Sequence, residues 1–144
     1  DRMVSGRAFD LSMHAVNFAS RLLKSYSTPV LVARKNAFEE PYIEPTDLVI
    51  SQEVLEHLED PAICLRLLRH MVRRDGHGYI TAAINAGHSD HIYRFRSPEE
   101  VQAMLRDTGW GIVAQQVEYA ESQLPKEFTP CVAAFMCQPL PEGL

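Results

Sequence analysis

The run Asp47-Leu48-Val49-Ile50-Ser51 is apolar without polar alternation, and Asp60-Pro61 follows it closely. A short continuous apolar strand is expected where both faces of a parallel sheet are covered. Asp60 supplies an N-cap and Pro61 a preset first helical residue, so a helix begins there. Strand then helix is the unit from which parallel α/β sheets are built.

The pattern repeats along the chain. Residues 8–10 end a short strand, and Asp10 or Ser12 can cap a helix over 13–24. That helix carries Ala15, Val16, Phe18, Ala19, Leu22 and Leu23 at helical spacing. Val30–Ala33 reads as a strand and 36–45 as a loop punctuated by Pro41 and Pro45. Val54–Leu58 reads as a helical turn. The helix from Pro61 is expected to reach about Arg74, with Arg73 and Arg74 at the negative end of its dipole and Gly76 ending it. Tyr79–Ile84 is the next strand, 85–96 a polar loop, and Ser97-Pro98-Glu99-Glu100 a capping box. Trp110–Tyr119 and Cys131–Cys137 are strands joined without a helix, as in an antiparallel hairpin. Trp110 is read as packing behind the preceding helix. The expected fold is α/β, a Rossmann-like, mostly parallel sheet with a C-terminal antiparallel hairpin, and the 144 residues make one domain.

Charge narrows the partners. Lys and Arg number 14 against 19 Asp and Glu, a net charge of -5. Such a chain is repelled on average by phosphate backbones and anionic lipid, which disfavours nucleic acid as a partner. No apolar run reaches the ~20 residues of a membrane span. Three cysteines without a CxxC pair suit a reducing, cytoplasmic setting.

Ligands of open α/β sheets bind beyond the carboxyl ends of the strands. Asp10 stands there, able to accept from two ribose hydroxyls or to cap the helix. Asn36 and Ala37 follow the second strand; an Asn amide can read a base edge or close a turn. Ser51, Gln52 and Glu53 follow the third. Glu53 suits an ammonium group or a helix's first turn. His57 lies four residues on, as a general base beside a carboxylate or as a structural histidine. The loop Asn85–Tyr93 holds His88, Asp90 and His91, whose spacing is not a closed zinc pattern, so no metal is expected. Arg94 and Arg96 suit an anionic group or plain surface charge.

The run Asp47-Leu-Val-Ile-Ser-Gln-Glu-Val-Leu-Glu-His-Leu-Glu-Asp-Pro61 resembles the fourth-strand motif of class I S-adenosylmethionine-dependent methyltransferases. Gly78-Tyr-Ile-Thr81, Asn85, Asp90-His91, Ser97-Pro-Glu-Glu100 and Thr108-Gly-Trp-Gly-Ile-Val113 follow in the family's order. Upstream, Phe9-Asp-Leu-Ser12 and Lys35-Asn-Ala37 resemble its second and third strand ends. The resemblance implies methyl transfer from S-adenosylmethionine to an oxygen, nitrogen or carbon of a small molecule. It places Asp10 on the ribose, Leu11 beside the adenine, Asn36 and Ala37 at the adenine edge, and Ser51, Gln52 and Glu53 at the methionine end. His57 and His91 fall on the substrate side. The family usually has Asp where Asn36 stands, so that contact is weaker or reversed in polarity.

One departure is large. The family opens with a central strand and a glycine-rich loop, yet nine residues precede Asp10 and only Gly6 among them is glycine. The expectation is a partial domain lacking that strand, with exposed strand edges that favour self-association. The alternative is an inactive methyltransferase-like module acting as a partner subunit.

Overall fold

The computed structural model describes residues 5–26, 29–39 and 44–141. The chain divides into two compact units, Asp1–Tyr42 and Ile43–Leu144. Part of the loop expected over 36–45, including Pro41, lies outside the described residues.

The first unit is a strand-helix-strand. β1 (Gly6–Asp10) and β2 (Val30–Arg34) pair in parallel from Gly6↔Val30 to Asp10↔Arg34, and α1 (Met13–Ser25) makes the crossover that parallel pairing requires. Ser12, not Asp10, caps α1: its Oγ accepts the Ala15 N–H at 3.3 Å. The helical spacing is correct, but its burial is partial. Val16 is buried, Ala15, Ala19 and Leu23 are half-buried, and Phe18 and Leu22 are exposed. Two strands offer too narrow a surface to cover a wide apolar stripe.

The second unit holds β3 (Thr46–Ser51), a 3-10 turn (Leu55–His57), α2 (Pro61–Met71), β4 (Val72–Ile84), α3 (Pro98–Asp107), β5 (Trp110–Tyr119) and β6 (Cys131–Pro139). Its sheet runs β3-β4-β6-β5. β3 and β4 are parallel; β6 lies between β4 and β5 and is antiparallel to both. The C-terminal hairpin is thus joined to a parallel core. Among the described residues, no strand links the β1–β2 pair to this sheet.

α2 stops at Met71, three residues short of the expected end, because Val72 is already paired with Thr46 of β3. The next pairing is Leu48↔His77, five residues on along β4 against two along β3, so residues 73–76 bulge outward. Arg73 reaches Asp47 in an ion pair across this bulge. Gly76 is therefore not a helix terminator. A Cβ there would lie 2.8 Å from the Asp47 carbonyl oxygen, so its role is close backbone approach.

The register sorts the sheet's faces. Val49, Gly78, Cys137 and Ile112 are cross-strand partners, and Val49 and Cys137 of this row are buried. Trp110 is fully buried behind this row: its ring occupies the space a Gly78 Cβ would take, and its Nε1–H donates to the Leu65 carbonyl of α2 at 3.0 Å. α2 and α3 pack against each other, with Leu65, Val101 and Leu105 fully buried. On the opposite face Leu48 and Ile50 are exposed, which corrects the expectation that both faces of β3 are covered. β3 is the edge of its sheet, and the neighbouring row through Tyr79 and Met136 is only half-buried.

Candidate functional site

The polar residues singled out in the sequence stand at strand ends in both units. In the first, Asp10 closes β1 and its Oδ1 accepts the Ser12 N–H at 2.7 Å, which turns the chain into α1. Leu11 is exposed, and its carbonyl accepts from Arg34 Nε at 3.0 Å. Asn36 Oδ1 accepts the Phe38 N–H at 3.1 Å in a second such turn, with Ala37 half-buried inside it. The Asn36 oxygen is thus committed to its own backbone.

In the second unit, Ser51 ends β3 with a buried Oγ that has no hydrogen-bond partner, and Gln52 is exposed. Glu53 takes φ 49°, a left-handed conformation rare for a residue with a side chain. Thr81 of β4 fixes it from both sides. The Thr81 hydroxyl accepts the Glu53 N–H at 3.0 Å and donates to Glu53 Oε1 at 2.8 Å. Strain at a strand end, held by a buried partner, is a pattern that clusters at functional sites.

Beyond Glu53 the chain turns through Leu55–His57, and there Glu56 is fully buried with neither carboxylate oxygen hydrogen-bonded. Burial drives its carboxyl above the ordinary range, and the charge on Glu53 adds to this. The Glu56 carbonyl accepts the Ile92 and Tyr93 N–H groups at 2.8 and 3.0 Å, which ties the 85–97 loop to this turn. Asn85 starts the loop at φ 52°, and its N–H donates to Phe95 O at 2.9 Å. These bonds bring His91 to His57, with ring centroids 5.0 Å apart and planes at 83°. His57 Nδ1 donates to the Asp90 carbonyl at 3.0 Å, and His91 Nδ1 donates to the Ala86 carbonyl at 2.9 Å. A carbonyl only accepts, so both rings carry a proton on Nδ1, and Nε2 is the ring nitrogen outside that bond. His88 pairs with the Asp90 carboxylate, whose other oxygen stands 3.6 Å from His57 Nδ1, and the His88 hydrogen bond holds the Asp90 carboxyl below its usual range.

The second unit therefore brings together Ser51, Gln52, Glu53, His57 and His91, while Asp10, Leu11, Asn36 and Ala37 belong to the first. An open pocket of about 370 Å³ lies at the ends of β4 and β5 and the start of β6, lined by Asn85, Arg96, Tyr119 and Lys126 among others. Arg96 thus borders a cavity; His57 and His91 do not line it. Sequence reasoning missed Glu56 and Thr81. Glu56 was visible only as part of a motif, since its spacing reads equally as an exposed first-turn acid. Thr81 sits inside an apolar strand, where a hydroxyl is easily read as filler.

No helix among the described residues is long and apolar enough to cross a membrane. The sequence model of a family described as a methyltransferase domain matches residues 5–80. No curated protein matches by sequence. Among solved structures, the 4+2 cyclase SpnF is similar over 97% of this chain and 67% of its own, with TM-score 0.79 and 12% identity. An S-adenosylmethionine-dependent methyltransferase from Clostridium acetobutylicum is similar over 96% of this chain and 76% of its own, with TM-score 0.74 and 10% identity. The N-methyltransferase NodS from Bradyrhizobium japonicum, in complex with S-adenosyl-L-homocysteine, is similar over 92% of this chain and 66% of its own, with TM-score 0.72 and 20% identity. At these identities the likeness is one of fold, and one of the three is named as a cyclase, so fold alone does not give the reaction.

Proposed function

The chain belongs to the methyltransferase-domain family, with the fold of class I S-adenosylmethionine-dependent methyltransferases, and from this we propose that it transfers a methyl group from S-adenosylmethionine to a nucleophilic atom of a small molecule. The observation that carries the reading is the family match over 5–80, which spans the ends of β1, β2 and β3, where Asp10, Asn36 and Glu53 stand.

The cofactor supplies an activated methyl group on a sulfonium; the protein supplies alignment and, where the nucleophile must lose a proton, a base. In this reading Asp10 accepts from the ribose hydroxyls and Leu11 lies against the adenine. Ala37 offers its N–H to the ring, and Asn36 offers its NH₂, since its oxygen already serves the Phe38 N–H. An NH₂ can serve a ring nitrogen of the adenine and not its amino group, so this contact is weaker than, or reversed from, the one an Asp would make. Ser51, Gln52 and Glu53 take the methionine end, with Glu53 as counter-charge to the ammonium. His57 and His91 face the acceptor, each ring held in direction by its Nδ1 hydrogen bond. The similar fold of NodS, solved with S-adenosyl-L-homocysteine, supports the choice of cofactor.

Calorimetric titration with S-adenosyl-L-homocysteine tests the reading. Asp10→Ala removes charge-assisted hydrogen bonds of about 1.5–3 kcal/mol in all, so affinity should fall about tenfold to a hundredfold. Unchanged affinity in a folded Asp10→Ala variant rejects the ribose role.

A further inference from the structure

Glu56, His57 and His91 each present one ligand atom, and these atoms lie within 4.8 Å of one another. We propose that they form a site for one divalent first-row transition cation, bound by a Glu56 carboxylate oxygen and the Nε2 atoms of His57 and His91. The inference does not rest on methyl transfer, because the three groups are assembled whatever the acceptor is, and it stands as an alternative to the general-base role of His57 and His91, since a ring nitrogen that ligates a cation has no lone pair left for a proton.

Three observations carry it. Glu56 is fully buried, both its oxygens lack any hydrogen-bond partner, and they lie beside the two imidazoles. A buried carboxyl with no partner is costly to ionise, and a ligated cation offsets that cost. The two rings are oriented as ligating histidines usually are: each donates Nδ1–H to a backbone carbonyl, which leaves Nε2 as the nitrogen outside that bond. The third observation is the scaffold: the Glu56 carbonyl takes both the Ile92 and Tyr93 N–H groups, so the loop bearing His91 is anchored to the turn bearing the other two.

Two imidazoles and one carboxylate suit zinc, iron, cobalt or manganese better than calcium or magnesium, which favour all-oxygen sets. Three protein ligands leave at least one position open, the pattern of a catalytic rather than a structural site. At bond lengths near 2.0–2.1 Å, ligand atoms around a tetrahedral ion stand about 3.3 Å apart, so the three groups draw closer on binding. His57 is half-exposed on a short turn. The sequence disfavoured a metal because it offered His88, Asp90 and His91. The structure turns His88 to Asp90 and brings in Glu56 and His57 instead.

The test uses the metal alone. The chelator-treated protein is titrated with Co²⁺, followed by visible absorption, and with Zn²⁺ by calorimetry. One equivalent should bind, with the absorption of a four- or five-coordinate nitrogen–oxygen site. Glu56→Gln, His57→Ala and His91→Ala should each weaken binding by more than the about 10–100-fold that loss of an outer-shell partner costs. A double variant His70→Ala/His77→Ala should bind as the parent does. Circular dichroism monitors folding, and the half-exposed His57 supplies a variant that keeps the test valid if the buried Glu56 change unfolds the chain. No stoichiometric binding of either ion, binding indifferent to all three ligand variants, or binding of Mg²⁺ in preference to Co²⁺ and Zn²⁺ would overturn the proposal.

Discussion

Glu53 shows how one buried hydroxyl can set a site. Its left-handed φ costs of order 1 kcal/mol or more, and the two bonds to Thr81 offset that cost. Thr81→Val keeps the shape and removes both bonds. It should destabilise the fold by about 1–3 kcal/mol in denaturant titration and also weaken binding of S-adenosyl-L-homocysteine. A loss of stability without loss of affinity would make Thr81 purely structural. The same scale holds a pH prediction. Burial raises the Cys64 thiol to about 11 and the Cys137 thiol to about 12, from 9.0. A raised acid pKa means the folded state holds its proton more tightly, so this stability is complete below about pH 9 and is lost as pH rises through 11 to 12. At pH 8 both thiols should resist alkylation in the folded protein and react at once in denaturant. Rapid labelling of Cys137 in the native state would contradict its burial. At the acceptor side, His57→Ala and His91→Ala should lower methyl transfer by about 10²–10⁴-fold if either is the base. Cofactor affinity should change far less; a rate loss under tenfold for both would place the base elsewhere.

The elements were readable where local chemistry and tertiary pairing agree. Ser97-Pro98 and Asp60-Pro61 start α3 and α2 where the sequence puts them, with Ser97 Oγ accepting the Glu100 N–H and Asp60 Oδ1 the Ala62 N–H. The Glu100 side chain reaches back to the Arg96 N–H, one residue before the cap. Misreadings come where a distant strand decides. Arg73 and Arg74 look like the last turn of a helix, but pairing of Val72 with Thr46 ends α2 first. Leu48 and Ile50 read as two-sided burial because hydropathy records a preference, not the presence of a covering layer. The strand ends bearing Asp10, Asn36 and Ser51–Glu53 were legible for the same reason as the strands. The Glu56 cluster was not, since it is made by a loop whose anchoring bonds are backbone to backbone. Gly76→Ala tests the bulge directly: its Cβ would meet backbone oxygens at 2.8 and 3.1 Å. Such overpacking against main chain should cost about 1–3 kcal/mol, read as a lower thermal midpoint; an unchanged midpoint would mean the bulge is free to relax.

At the scale of the molecule, the strands form two sheets, and among the described residues β1 and β3 each pair with one neighbour only. We propose that these open edges drive the 144-residue chain to self-associate, and that it binds the cofactor weakly by itself. Sedimentation over a range of concentrations should show species larger than a monomer; a strict monomer contradicts this. Weak binding calls for a method that reads it residue by residue, and amide NMR shifts during titration with S-adenosyl-L-homocysteine decide whether these strand ends hold the cofactor. Saturable shifts are expected at 10–12, 36–38 and 51–53, at the ends of β1, β2 and β3, with the amides of 112–118 in β5 unmoved. No shifts at millimolar ligand, or shifts confined to residues away from those three strand ends, would contradict it.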